Sequence, residues 1–177
     1  MKTLIINGGT IEDAFALSYI ERVKPDCILA ADRGMEFCYR NQIKPDVILG
    51  DYDSADKTIL EAFRRQSGIE WHQYQPEKDY TDSEIAIGKA MERNSSEIHI
   101  LGGTGTRLDH VLGNIQLLMQ PLAKDIPCFL IDSHNRIRLL KERAVRKVCI
   151  LTSSYNRSNR SNIDRNEISS AGCSIYQ

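Results

Sequence analysis

Four aspartates stand in three separate loops of this chain, and together their side chains could hold a divalent cation. Asp51 and Asp53 are separated by a single residue, a spacing at which two side chains in a turn can point to the same ion. Asp32 and Asp82 stand in two other loops. Carboxylates that converge without cationic partners repel one another, so such a cluster generally persists because a metal ion neutralises it. Oxygen-only ligands favour Mg²⁺ or Mn²⁺ over zinc. We therefore predict a magnesium site formed by Asp51, Asp53 and Asp82, with Asp32 in the same cluster.

Each of these aspartates also has a purely structural interpretation. Aspartate is a common helix cap and turn residue, so any one of them, taken alone, needs no ligand. Four aspartates at corresponding loop ends are harder to explain in this way.

A glycine-rich loop at 102–105, with the sequence GGTG, predicts phosphate binding. It lies between a predicted strand and a predicted helix, where backbone N–H groups and a helix N-terminus can hold an anion. Beyond it, Arg107 carries a planar fork of donors suited to phosphate oxygens. A surface ion pair is an equally good interpretation of Arg107, and Asp109 could equally cap a helix. Of the histidines, only His110 is a functional candidate.

These residue types together favour phosphoryl-group transfer, which depends mostly on positioning and charge neutralisation. Arg107 and the glycine-loop amides would stabilise negative charge on the leaving group. Lys78, in the polar run before Asp82, could reach a phosphate with its ammonium group, although an exposed lysine is the commoner outcome. Asp82 or Asp53 could accept the proton of an attacking hydroxyl. The spacing does not decide between these two carboxylates.

The elements that must position these residues alternate along the chain. Apolar runs of four or five residues alternate with segments of helical period, a pattern typical of a mostly parallel, doubly wound α/β sheet with helices on both faces. The predicted strands are 3–7, 27–30, 47–50, 70–73, 97–101 and 128–132. The predicted helices are 13–20, 35–41, 55–65, 82–93 and 109–119. Ligands of such sheets bind beyond the carboxyl ends of the strands, which is where the candidate residues lie.

Composition excludes several classes of protein. The 23 basic and 24 acidic residues balance, so the chain lacks the basic excess expected of a nucleic-acid-binding surface. No apolar stretch approaches the roughly 18 residues of a membrane span, and the apolar run near Met1 is too short for a signal peptide. We expect a cytoplasmic protein without a nucleic-acid or membrane partner. Five widely spaced cysteines, none of them in a C-x-x-C pair, indicate buried reduced thiols.

Four successive motifs resemble those of bacterial thiamine pyrophosphokinases. They are ADRG at 31–34, GDYDS at 50–54, PEKDYTD at 76–82 and GGTGTRLDH at 102–110, followed by Asn114. Their order and spacing agree with the family, and the resemblance covers roughly residues 1–148. It implies an ATP-binding α/β domain followed by a β-sandwich domain, in a homodimer with thiamine sites between subunits. The implied reaction transfers a pyrophosphoryl group from ATP to thiamine, with Mg²⁺, and gives thiamine diphosphate and AMP.

The resemblance also assigns roles residue by residue. Asp51, Asp53 and Asp82 resemble the metal-binding or catalytic carboxylates, and Arg107 joins them as a catalytic phosphate contact. The nucleotide-binding candidates are Asp32, Arg33, Gly34, Lys78, Thr81, Gly102, Gly103, Thr104, Thr106, Asp109 and His110.

The C-terminal part departs from the family. We predict a catalytic domain over 1–132, the start of the β-rich thiamine-binding domain over 133–148, and an atypical, disordered tail over 149–177. A single-base slip in the gene near codon 148 would explain the departure. It would leave the sandwich incomplete and the period-two stretch 136–140 as an unpaired strand edge. Two alternatives to full activity follow: a catalytically impaired ATP-binding fragment, or another magnesium-dependent phosphotransferase.

Overall fold

The computed structural model describes residues 1–53, 55–75, 80–105, 107–141 and 146–151, with side chains through residue 140. The strands are β1 Lys2–Ile6, β2 Cys27–Ala31, β3 Val47–Gly50, β4 Glu70–Gln73, β5 Glu97–Leu101, β6 Cys128–Ile131, β7 Arg136–Lys141 and β8 Arg146–Leu151. The helices are α1 Asp13–Val23, α2 Gly34–Arg40, α3 Lys57–Arg64, α4 Asp82–Glu92, α5 Leu108–Leu117 and α6 Met119–Ala123.

The strands form one sheet in the order β4-β3-β2-β1-β5-β6-β7-β8. Strands β1 to β6 pair in parallel, with Leu4 opposite Ile28 on one side and His99 on the other. From β1 the chain adds strands outward to β4, then returns to place β5 on the opposite side of β1. The winding direction therefore reverses between β1 and β5, which is the topological switch point of the fold.

Helices cover both faces of the sheet, which explains why the central strands are apolar throughout. All four residues of β3 are buried, as are four of the five in β1. One core packs α4 and the α5–α6 segment against alternate strand residues such as Leu29 and Ile100. The other packs α1, α2 and α3 against the remaining ones, such as Ile48. The predicted doubly wound α/β fold is confirmed.

All six predicted strands occur, each within one residue of its expected ends. The five predicted helices also occur, although α1 continues three residues past its predicted end, to Val23. The short helix α6 was missed, because its helical period runs on almost without a break from α5. In the described part of the chain, no helix is both long and apolar enough to cross a membrane.

The period-two stretch after residue 135 forms β7, a strand that is antiparallel to both of its neighbours. The expectation of an unpaired edge is wrong, because β7 pairs with β6 on one side and with β8 on the other. Leu130 of β6 lies opposite Ile137, so the chain remains in the same sheet at this point. Of the tail predicted to be disordered over 149–177, residues 149–151 form the end of β8, and the rest lies outside the described residues.

Candidate active site

The loop after β3 presents two carboxylates because the residue between them turns into the protein. Tyr52 has a left-handed backbone (φ 64°) and is only 8% exposed. Its hydroxyl lies 3.1 Å from the Ile48 carbonyl oxygen and 3.0 Å from that of His72. The backbone N–H of Asp53 donates to Asp51 Oδ1 at 3.0 Å. This tight turn holds Asp51 and Asp53 side by side at the carboxyl edge of the sheet, as the sequence predicted.

A cleft of about 400 Å³ opens beside this turn. Its described lining consists of Asp51, Asp53 and the polar end of β4 with the residues that follow, Gln73, Tyr74 and Gln75. Sequence reasoning missed the last three because they lack charge. The signal available was their place at a strand end, next to the Asp-x-Asp turn.

Asp32 lies directly beside the same turn. Its N–H donates to the Leu49 carbonyl oxygen at 2.8 Å, and its backbone is left-handed (φ 49°). A Cβ added at Gly50 would lie 3.3 Å from the Asp32 Cα, so the loops after β2 and β3 touch through their backbones. The structure therefore brings Asp32 next to the residue that precedes Asp51.

The neighbours of Asp32 have structural partners of their own. Arg33 forms an exposed ion pair with Glu36, at 3.0 Å between Nε and Oε1. Gly34 begins α2 against β1, where a Cβ would lie only 1.9 Å from the Ile6 carbonyl oxygen. Close packing therefore accounts for the glycine at 34, while the predicted nucleotide role of Arg33 and Gly34 stays a prediction.

Helix α4 begins at the same edge of the sheet. Thr81 is its N-cap, and its hydroxyl accepts from the Glu84 N–H at 3.2 Å. Asp82 is the first residue of the helix and is half-buried, a position where the positive end of the helix dipole favours an acidic side chain. Among the described residues, Asp82 does not line the cleft beside Asp51. Lys78 and Thr106, two further predicted contacts, lie outside the described residues.

The glycine loop after β5 is held by amide and carboxylate side chains. Asn114 of α5 donates from Nδ2 to the Gly103 carbonyl oxygen at 2.7 Å. Asp132, at the end of β6, bonds to Thr104 and accepts from the Asn135 N–H at 2.7 Å. Partial burial alone would raise the pKa of Asp132, but the hydrogen bonds from Asn135, His134 and Thr104 outweigh it and hold the pKa below its usual value. Asp132 was expected only as a strand end, and its role in fixing this loop was missed.

Arg107 and Asp109 form an ion pair with each other, at 2.6 Å between Nη2 and Oδ2. Both side chains are about two-thirds exposed, and the guanidinium lowers the pKa of Asp109. Arg107, not Asp109, occupies the N-cap position of α5, without a side-chain capping bond. His110 is exposed in the first turn of that helix. Of the two interpretations open for Arg107, the structure shows the surface ion pair, and a phosphate contact would require an exchange of partners.

The acidic turn has the donor chemistry that suits magnesium. Across the described residues, no group of three or more His, Cys, Asp or Glu side chains is arranged to hold a metal ion unaided. Mg²⁺ commonly binds through one or two carboxylates, with waters and substrate phosphates completing its shell. Asp51 and Asp53 supply two such carboxylates beside a polar cleft.

Comparison with known proteins identifies a family. Residues 22–130 match the family model described as the catalytic domain of thiamin pyrophosphokinase. Thiamine pyrophosphokinase of Bacillus subtilis is 39% identical over 114 residues, which cover 63% of this chain and 51% of that protein. Thiamine pyrophosphokinase 2 of Arabidopsis thaliana is 35% identical over 88 residues, which cover 46% of this chain and 33% of that protein. The chain thus spans about half the length of the first of these relatives and less of the second.

Solved structures agree with the sequence comparisons. The crystal structure of the Bacillus subtilis thiamine pyrophosphokinase superposes with a TM-score of 0.67 at 27% identity, covering 83% of this chain and 71% of that one. The thiamin pyrophosphokinase of Geobacillus thermodenitrificans superposes with a TM-score of 0.64 at 27% identity, covering 78% and 63% respectively.

Proposed function

This chain belongs to the thiamin pyrophosphokinase family, and we propose that it transfers a pyrophosphoryl group from ATP to thiamine. The oxygen of the thiamine hydroxyl forms a bond to the β-phosphorus of ATP. The bond from that phosphorus to the oxygen bridging it to the α-phosphorus breaks, and AMP leaves. The proton of the hydroxyl passes to a carboxylate and then to solvent. The observation that carries the proposal is the Asp51-Tyr52-Asp53 turn at the mouth of a polar cleft.

The acidic turn supports a magnesium site. Mg²⁺, when bound, would neutralise the charge of the polyphosphate. Asp51 and Asp53 would hold it, with Asp82 contributing from the first turn of α4. Because the buried Tyr52 ring fixes the backbone of the turn and the Asp53 N–H holds Asp51 Oδ1, the turn needs little reorganisation when substrate arrives.

Other groups at the carboxyl edge of the sheet support the proposed nucleotide site. The backbone N–H groups of the glycine loop and of the N-terminus of α5 can donate to phosphate oxygens. Arg107 can exchange its exposed partner Asp109 for a phosphate at small cost, because exposed ion pairs contribute little. Asp82 or Asp53 serves as the base in this scheme. The proposal also includes the homodimer that the resemblance implies, and a cytoplasmic location.

Product identification tests the proposal. The purified chain, incubated with ATP, thiamine and Mg²⁺, should yield thiamine diphosphate and AMP in equal amounts, separated by chromatography. Release of ADP or of inorganic phosphate instead would indicate a different phosphotransferase and would contradict the proposal. ATP binding without product would indicate the impaired fragment.

A matched pair of variants ties the activity to the acidic turn. Asp51→Asn should lower kcat about 100-fold or more, because it removes one of the two carboxylates that would hold Mg²⁺ against the polyphosphate. Asp56→Asn is the control, since Asp56 caps α3 by accepting from the Thr58 N–H at 2.7 Å and asparagine caps equally well. Equal activities in the two variants would show that the turn does not serve the reaction.

A further inference from the structure

Asn7 stands where the winding of the sheet reverses. It directly follows β1, the strand that has β2 on one side and β5 on the other. Ligands of doubly wound sheets bind beyond this point. Asn7 is only 6% exposed, and it is one of few buried polar residues among those that the structure describes.

The backbone around Asn7 is fixed from the β5 side. Its N–H donates to the Leu101 carbonyl oxygen at 2.9 Å. Gly102 approaches so closely that a Cβ there would lie 2.5 Å from the Asn7 carbonyl oxygen, and its left-handed backbone (φ 71°) also favours glycine. The Gly9 N–H then donates to the Gly102 carbonyl oxygen at 3.0 Å. Asn7 is therefore a rigid anchor at the sheet edge.

The side chain of Asn7 reaches across to helix α4. Its Nδ2 donates to Ser83 Oγ at 2.9 Å. Ser83 is the second residue of α4 and directly follows Asp82. The bond thus joins two segments that are 76 residues apart in sequence, and it ties the first turn of α4 to the end of the central strand.

The side chain of Asn7 is energetically unfavourable at this position. Its Oδ1 is buried and has no hydrogen-bond partner in the part of the chain that the structure describes. Turning the amide over would leave Nδ2 unpartnered instead, because the one partner that the structure gives this side chain is the Ser83 hydroxyl. Buried polar atoms without partners are rare in folded proteins. This residue therefore points to a role other than stability.

We propose that Asn7 is a positioning residue, which acts through Ser83 to hold Asp82 in place relative to Asp51 and Asp53. The inference rests on the proposed function, in which Asp82 serves the metal-bound polyphosphate. Asn7 contacts no reacting atom in this scheme. Residues that orient metal-binding side chains typically change metal affinity or activity by about 10- to 100-fold when they are replaced.

Three variants and a control test the proposal. Ser83→Ala removes the hydroxyl and should fold normally, since the site is only partly buried and alanine suits a helix. Asn7→Ala removes the other partner, and the double variant removes both. Ser18→Ala removes an exposed hydroxyl from α1 and serves as the control.

The first readout is the Mg²⁺ concentration that gives half-maximal formation of thiamine diphosphate. We expect Ser83→Ala to raise it about 10-fold while lowering the melting temperature by no more than about 2–8 °C, the cost of one lost hydrogen bond in a chain of this size, and Ser18→Ala to leave it unchanged. Asn7→Ala should have a similar effect, and the double variant should add little, since both single changes break one interaction. Wild-type magnesium dependence in Ser83→Ala would overturn the proposal, as would single effects that multiply in the double variant.

The second readout does not require turnover. The dissociation constant of Mn²⁺ is measured by electron paramagnetic resonance in the presence of α,β-methylene ATP. Ser83→Ala should weaken Mn²⁺ binding about 10-fold, and an unchanged constant would overturn the positioning role. A wild-type chain that binds Mn²⁺ and nucleotide but forms no thiamine diphosphate would refute the proposed function while leaving this second test intact.

Discussion

Replacing Tyr52 with phenylalanine separates the two ways in which this residue supports the acidic turn. The hydroxyl lies between the carbonyl oxygens of Ile48 and His72, on the neighbouring strands β3 and β4. The ring packs edge-on against Trp71, with 5.6 Å between ring centroids. Tyr52→Phe removes the first interaction and keeps the second. Burial raises the pKa of Tyr52 to about 12, so the hydroxyl stays protonated and donates at every working pH.

The magnitude follows from the burial of the hydroxyl. A net intramolecular hydrogen bond contributes about 0.5–1.5 kcal/mol, and a buried acceptor left without its donor costs somewhat more. We therefore expect Tyr52→Phe to lower the free energy of unfolding by about 1–2 kcal/mol. For a chain of this size the melting temperature should fall by about 2–8 °C. Tyr52→Ala also removes the buried ring and should cost about 3–5 kcal/mol.

The two Tyr52 variants should also differ in function. Because the ring still fixes the turn in Tyr52→Phe, the Mg²⁺ concentration for half-maximal activity should change less than about 3-fold, whereas in Tyr52→Ala it should rise about 10-fold or more.

Thermal unfolding and magnesium titration of the same preparations check both expectations. Tyr39→Phe is the matched control, since Tyr39 is 43% exposed and should tolerate the loss of its hydroxyl. A Tyr52→Phe variant that melts like the wild type would refute the hydroxyl's role. If the Mg²⁺ concentration for half-maximal activity rose as much in Tyr52→Phe as in Tyr52→Ala, the role given to the ring would be refuted.

Two further predictions concern charged and titratable groups away from the cleft. His99 lies buried between Tyr19 and Glu97, with 2.7 Å from Nδ1 to the Tyr19 hydroxyl and 2.6 Å from Nε2 to Glu97 Oε1, and burial lowers its pKa below 6.5. The unfolded chain then binds the proton more readily than the folded chain, so stability should fall as the pH drops below about 6.5. The free energy of unfolding of His99→Gln, measured with urea, should therefore depend less on pH than that of the wild type. An identical pH dependence in the two proteins would contradict this expectation. Hydrogen bonds from His72 and then Arg93 lower the pKa of Glu70 from 4.5 to about 2, so its contribution is present above pH 4.5 and is lost as the pH falls toward 2. Because Glu70 is 42% exposed, Glu70→Gln should lower the free energy of unfolding by only about 0.5–1 kcal/mol at pH 7. If the same difference in stability from the wild type persisted at pH 2, the assignment would be refuted.

The strand ends could be predicted from the sequence because each depends on a local pattern. Buried parallel strands are short apolar runs, and Val47–Gly50 ends in a glycine followed by Asp51. The topological rule then places the following loops at one edge. Asp32, Asp51, Asp53 and Asp82 were expected together on this reasoning. The structure places Asp32 against Gly50 and holds Asp51 and Asp53 in one turn, whereas Asp82 is not among the described residues that line their cleft.

The contacts that complete this edge could not be predicted, since each joins two separate elements of the fold. Asn7 meets Ser83 across 76 residues, and Asn114 meets Gly103 across 11. Periodicity gives the face on which a residue lies but not the partner it meets there. The partner of Arg107 could not be predicted from the sequence either. Its sequence context fitted phosphate and ion pair equally, and its proximity to Asp109 decided the conformation that the structure shows.

The most direct test of the account is a crystal structure of the chain with Mg²⁺ and α,β-methylene ATP. We predict the polyphosphate at the carboxyl edge of the sheet, with a magnesium ion bound by Asp51 and Asp53, Asp82 facing the same ion, and the phosphates reaching the Gly102–Gly103 amides. A nucleotide bound elsewhere, or a metal ion that none of the three aspartates contacts, would contradict the account.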